Sequence, residues 1–289
     1  MSTKVLVCGA GGFIGRALCQ ALRAAGHEVI EGRSSGYDFT QLLAAADWAP
    51  RLQGVDAVVN AVGVLRDSAK RPMELVHSGA PIALFEACAQ AGVRRVVQVS
   101  ALGVVGNSTQ YAQTKIAADQ SLLALHEAGQ LRASVVRPSI VYGRGGASSQ
   151  LFMNLARLPL LVLPGAALRA KVQPVAATDL AAAVVNLLRP QADAPALVSA
   201  VGPRPLSLSD FIGSLRAQLG HGMARLVSLP EWASRWSARV GDHLPMQPWC
   251  SESLALLQQD NADDPAPFAA LLGRPAIAPE DLVRLAWSR

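Results

Sequence analysis

Two rhythms of apolar and polar positions run along most of this chain. Short runs dense in β-branched residues predict strands at 4–8, 27–32, 55–60, 95–100, 133–137, 172–175 and 197–201. Between them, Ala- and Leu-rich stretches with helical spacing predict helices at 14–25, 40–47, 74–91, 111–128 and 179–188. The strands are close to continuously apolar, as in Val55-Asp56-Ala57-Val58-Val59, which suits a parallel sheet covered on both faces. Strand–helix alternation at this pitch predicts an α/β fold, a Rossmann-type doubly wound parallel sheet. From Gly143 the pattern loosens, returns to strand near 172–201, and ends in helices. The expected division is a dinucleotide-binding domain at 1–145 plus the return segment 172–201. A smaller, mostly helical lobe at 146–171 and 202–289 would take substrate or a partner.

Composition narrows the classes. Of 289 residues, 51% are hydrophobic and 16% charged, which excludes a disordered chain. The apolar stretch 158–168 is interrupted by Pro159, Pro164 and Gly165 and is too short to span a bilayer. Lys and Arg number 26 against 21 Asp and Glu, for a net charge of +5. The arginines are scattered and aromatics make up only 5%, so no stripe for nucleic acid is predicted. Cys8, Cys19, Cys88 and Cys250 lack metal-type spacing and read as buried thiols, with no metal site expected. With no signal-like segment at the start, a cytoplasmic location is the expectation.

The first chemistry lies in Gly9-Ala10-Gly11-Gly12-Phe13-Ile14-Gly15, between the first strand and the first helix. Glycines there permit unusual dihedrals and let a pyrophosphate approach the backbone, facing the N–H groups of the helix. The second strand ends Glu31-Gly32-Arg33-Ser34. Glu31 is expected to point away from the site, leaving Arg33 and Ser34 at the tip. A guanidinium there suits a 2′-phosphate and favours NADP(H) over NAD(H); a solvated loop charge is the alternative.

The second lies in Tyr111-Ala112-Gln113-Thr114-Lys115, where i, i+4 spacing puts phenol and ammonium on one helix face. An ammonium beside a phenol lowers its pKa toward the range useful for acid–base work, and can also bind a ribose.

These features resemble a short-chain dehydrogenase/reductase of the extended or atypical, NAD-dependent epimerase/dehydratase-like kind, over residues 4 to 220. Asp38-Phe39 is similar to that family's adenine-contacting step, and Asn60-Ala61-Val62-Gly63 to its Asn-Ala-Gly turn. Arg137-Pro138-Ser139-Ile140-Val141-Tyr142-Gly143 resembles its Arg-Pro-x-x-Val-Tyr-Gly segment, and Gln173-Pro174-Val175 with Thr178-Asp179-Leu180 its late strand–helix step. Val99-Ser100-Ala101-Leu102-Gly103 looks like the atypical group that includes the nucleotide-binding accessory subunit of respiratory complex I. The resemblance implies that Ser100 orients a substrate carbonyl, Tyr111 transfers the proton, Lys115 holds the ribose, and Pro138 and Ile140 border the nicotinamide. Ser100 stands nearer Tyr111 than the family's serine does, so Ser108 or Thr109 are substitutes to consider. His77 stands where relatives often place asparagine, either titrating near neutrality or packed.

Three readings follow: an NADP(H)-dependent oxidoreductase of a small carbonyl or alcohol, a non-catalytic NADP(H)-binding protein, or an NAD-dependent sugar-nucleotide epimerase/dehydratase. The partners expected are a small-molecule substrate and a homodimer mate or other protein. Arg66, Asp67 and Arg144 are either substrate contacts or loop charges. Pro230 opens a helix with Trp232, Trp236 and Val240 on one face and Arg235 and Arg239 on another. That stripe lines a hydrophobic pocket, docks a partner or a quinone-like ring, or packs in the core.

Overall fold

A computed structural model of the chain describes residues 2–165, 168, 170–189, 194–243, 251–256 and 260–287. Cys250 lies outside them; Cys8, Cys19 and Cys88 are buried free thiols. The chain forms two compact units, Met1–Pro138 with Leu180–Ser199, and Ser139–Asp179 with Ala200–Arg289.

The first unit is built on a six-stranded sheet. It contains β1 (Lys4–Cys8), β2 (Glu28–Gly32), β3 (Ala57–Asn60), β4 (Arg95–Val99), β5 (Arg132–Pro138) and β10 (Leu197–Ala200). Their order is β10-β5-β4-β3-β1-β2. The pairs β1–β2, β1–β3, β3–β4 and β4–β5 are all parallel, in register Val5↔Val29 and Val5↔Ala57. Every residue of β3 and β4 is buried, Asn60, Arg95 and Gln98 included, as in strands covered on both faces. The covering helices include α1 (Phe13–Ala24), the single turn α2 (Ala45–Trp48), α3 (Ala80–Gln90) and α4 (Gln110–Glu127). β1 is the strand from which the chain winds to either side, so its carboxyl end and that of β3 flank the switch point where such sheets bind ligands.

The second unit holds α5 (Ala147–Arg157) and α7 (Leu208–Gln218) around Tyr142, Phe152, Phe211 and Leu282. Its strands form two-stranded sheets: β6 (Val141–Tyr142) with β9 (Val175–Ala176), β7 (Leu160–Pro164) with β12 (Arg225–Leu229), and β8 (Lys171–Val172) with β11 (Leu206–Ser207). The strand expected at 172–175 is therefore split between two small sheets, and only β10 returns to the large one. Pro174 has no N–H to give to a ladder, and the side chain of Gln173 turns aside to donate to the Gly202 carbonyl at 2.6 Å.

Two helices also depart from their patterns. The stretch expected at 40–47 keeps only α2, because the Asp38 carboxylate accepts from the backbone and hydroxyl of Thr40 in a tight local turn. The helix expected at 74–91 widens to a π turn over Glu74–Gly79 before α3. Pro81 supplies no amide hydrogen to the carbonyl a turn earlier, which accounts for the wider ladder there.

Candidate functional site

The glycine turn is shaped by close backbone approaches. Gly9 has φ of 80°, and a Cβ on it would stand 3.0 Å from the Ala61 carbonyl group. At Gly15 a Cβ would fall 2.0 Å from the Gly9 oxygen, so only glycine lets α1 sit this close to the turn. Gly9 N–H donates to the Gly32 carbonyl at 2.9 Å, tying the turn to the tip of β2. Above this turn lies a cavity of about 470 Å³. Of the residues marked in the sequence, Gly9, Gly12, Arg33, Ser34, Asp38, Phe39, Ala61, Val62 and Gly63 line it. A bare-backbone cradle with a guanidinium at its far edge fits a dinucleotide.

Phe13, Ile14 and Gly15 are not in that lining and act through the start of α1. Asn60 is fully buried; it donates to the Gln98 side chain at 2.8 Å and accepts from the Val62 amide at 3.1 Å, shaping the turn from behind. Pro138 ends β5 and its carbonyl accepts from the Leu102 amide. Ile140 belongs to the second unit and packs against that unit's core.

Glu31 is absent from the cavity lining, in line with its expected direction. It accepts from Arg23 at 2.6 Å and from Arg33 at 2.7 Å, and these two guanidiniums hold its carboxyl below the ordinary range. Arg33 therefore lines the cavity while already sharing its charge with Glu31. Arg71 lines the same cavity. It sits in a loop without periodicity, so no sequence pattern singled it out.

Tyr111 and Lys115 are not in the lining of this cavity; Lys115 reaches it through the carbonyl of the lining residue Val62. Thr109 caps α4 by accepting from the Ala112 amide at 3.3 Å, and Ser108 is exposed. Neither is thereby presented as a replacement for Ser100. Lys115 is buried, and its Nζ donates to the carbonyls of Val62 and Val99 at 3.3 Å each. Gly63 leaves room for it, since a Cβ there would lie 3.2 Å from Nζ. Burial brings the lysine pKa down to about 8, against the opposing pull of Asp119. Burial, with Asp119 adding, pushes the Tyr111 phenol up to about 12. The phenol thus moves opposite to the lowering expected from Lys115, through burial and the Asp119 charge.

Ser100 differs from its implied role as well. Its hydroxyl donates to Asp119 Oδ2 at 2.8 Å, so its proton points into the protein and not toward a substrate carbonyl. Arg137 donates to the same carboxylate oxygen at 3.0 Å. Asp119 follows Lys115 by four residues on α4, and this spacing is the signal that could have found it.

His77 is packed. Its Nε2 accepts from the Val64 amide at 2.9 Å and its Nδ1 lies 3.1 Å from Thr114 Oγ1, which itself donates to the Gln110 carbonyl. Burial first, then the Lys115 charge, lowers its pKa to about 3, so the ring is neutral where titration had been one expectation. Its ring meets Tyr111 edge-on at 5.3 Å. Asp67 accepts from the Met73 amide at 2.7 Å and so begins the following helix, while Arg144 is exposed in the second unit. Among the described residues no cluster of metal-ligating side chains occurs, and no helix is long and apolar enough to cross a membrane.

A profile of the NAD dependent epimerase/dehydratase family matches residues 5–197. A 2-alkyl-3-oxoalkanoate reductase of Stenotrophomonas maltophilia is 30% identical over 183 residues, 53% of this chain and 54% of its own length. The chain thus spans about half the length of that relative. Subunit 9 of the NADH dehydrogenase [ubiquinone] 1 alpha subcomplex of mouse mitochondria is 23% identical over 264 residues, covering 85% of this chain and 69% of that protein. Among solved structures, an NAD-dependent NDP-hexosamine 5,6-dehydratase of tunicamycin biosynthesis superposes with a TM-score of 0.68. It is 22% identical and covers 99% of this chain and 96% of its own, a likeness of fold alone.

Proposed function

The chain belongs to the NAD-dependent epimerase/dehydratase family, and we propose that it is an NADP(H)-dependent reductase of a small carbonyl substrate. The observation that carries this reading is the Tyr111–Lys115 pair, one turn apart on α4, with Lys115 anchored to the backbone of the cavity-lining Val62. When bound, the nicotinamide supplies the hydride. Gly9, Gly12 and the amides opening α1 would seat the pyrophosphate, and Arg33 the 2′-phosphate. Tyr111 gives its proton to the substrate oxygen, and a phenol held protonated by burial is suited to that direction of reaction. Lys115 holds the ribose and supplies positive charge beside the phenolate left behind.

Tyr111→Phe should abolish carbonyl reduction while leaving NADPH binding, read by fluorescence titration, unchanged; undiminished turnover would refute the assignment. Arg33→Ala should weaken NADPH by about tenfold, the worth of one charge-assisted contact, and leave NADH unaffected. Equal losses for both nucleotides would remove the NADP(H) preference from the proposal.

One observation favours a second reading, a non-catalytic NADP(H)-binding protein. Ser100 gives its proton to Asp119, so the donor that the family resemblance assigns to the substrate carbonyl is directed inward. That reading expects bound nucleotide with no turnover on any carbonyl panel.

A further inference from the structure

The 2′-phosphate of NADP(H) is close to a dianion at neutral pH, and a single guanidinium compensates only part of that charge. Arg33 offers less than a free guanidinium does. Its Nε donates to Glu31 Oε2 at 2.7 Å and its Nη2 stands 2.5 Å from the same oxygen. The forked edge that best meets a phosphate is thus turned to a carboxylate. Glu31 also accepts from Arg23, and Asp38 brings a further carboxylate to the cavity lining. With two guanidiniums against two carboxylates, the tip of β2 carries little spare positive charge for a dianion.

Arg71 is the other cation in that lining. Among the described residues it has no acidic partner, its side chain makes no hydrogen bond, and it is exposed. The loop that carries it is nevertheless fixed. The Arg71 amide donates to the Ser68 carbonyl at 3.0 Å and to the Ser68 hydroxyl at 3.1 Å, and Asp67 accepts from the amide of the fully buried Met73. The π turn that follows packs on the segment after β2. Val76 lines the cavity and shares a core cluster with Phe39 and Leu42, and a Cβ on Gly79 would lie 3.6 Å from the Leu43 side chain. Arg71 is therefore delivered by a segment packed on the turn that follows the β2 tip, where Arg33 stands. Resting on the NADP(H) reading above, we propose that Arg71 is a specificity-determining residue for that nucleotide, its free guanidinium binding the 2′-phosphate together with Arg33 and supplying the charge that Arg33 gives up to Glu31. Ordering a long exposed side chain costs entropy, which holds the expected gain to about tenfold.

The probe is adenosine 2′,5′-bisphosphate, which carries the 2′-phosphate without the nicotinamide, set against 5′-AMP. Both are titrated calorimetrically into the full chain, with NADPH and NADH titrated in parallel by fluorescence. We expect Arg71→Ala to weaken the bisphosphate and NADPH by about tenfold, while 5′-AMP and NADH change by less than about twofold. Arg71→Lys, which keeps the charge and loses the fork, should recover part of that loss. Arg71→Ala combined with Arg33→Ala should abolish discrimination between NADPH and NADH. Equal losses for the two dinucleotides would overturn the assignment, since Arg71 would then act on the part they share. Unchanged binding of both would overturn it too, leaving Arg71 a solvated loop charge. In either case a wild-type chain that prefers NADPH keeps the NADP(H) reading, with Arg33 as its source. A wild-type chain that binds both nucleotides equally, or neither, overturns that reading and this inference with it.

Discussion

His77 shows what one side chain gains and loses when it is buried between fixed partners. The imidazole accepts from Val64 and meets Thr114, contacts that the neutral ring satisfies. Its folded pKa of about 3 lies below the ordinary 6.5, so the unfolded chain binds the proton first as pH falls. Stability contributed by the neutral ring is therefore present above about 6.5 and lost progressively down to about 3. His77→Asn should lower stability at neutral pH by about 1–2 kcal/mol through lost hydrogen bonds. The difference from wild type should shrink as pH falls through that window, measured by urea unfolding at several pH values. A constant difference would mean that the ring does not titrate on unfolding. Sequence marked His77 only as standing where relatives often place asparagine; its neutrality is set by burial and by the charge of Lys115, 38 residues away. The same limit applies to Ser100, whose motif was legible while the direction of its hydroxyl was set by Asp119.

Helices and strands were readable where a period and a terminating residue agreed. The glycine turn joining β1 to α1 is the strongest case, and its geometry permits a controlled test. Gly15→Ala would place a methyl against the Gly9 backbone and should cost about 3 kcal/mol, the upper part of the range for overpacking. Gly11→Ala, whose Cβ would meet nothing within 4 Å, should leave the urea midpoint in place. Similar losses at both positions would show that general helix-start effects, and not the close approach, explain the glycine. Elements were misread where a side chain competed with the backbone ladder, as Asp38 does before α2 and Gln173 does beside Pro174. Those contests are decided by partners at Thr40 and Gly202, and apolar spacing carries no trace of them.

At the scale of the whole molecule, the C-terminal segment is part of a core and cannot be treated as a detachable tail. Leu282 is fully buried among Tyr142, Phe152 and Phe211, and Trp287 lies against the Tyr142 ring at 5.7 Å. Asn261 donates from its amide to the Lys171 carbonyl, and Asp263 donates from its amide to the Gln173 side chain. The fully buried Asp179 accepts from Arg274 at 2.5 Å and from the Ile277 amide at 2.7 Å. These bonds span about 90 residues of sequence, which is why local patterns left the region as loosely ordered helices. Deleting residues after 259 would expose the apolar side chains around Leu282 and leave the Asp179 carboxylate buried without its partners, a costly combination. We expect such a truncated chain to lose the near-ultraviolet signal of the second unit and to be cleaved there by protease. Leu282→Ala in the full chain should cost about 2–5 kcal/mol, the range for a cavity left by a buried leucine. If the truncated chain kept a native near-ultraviolet spectrum and protease resistance, the segment would be an appendage after all.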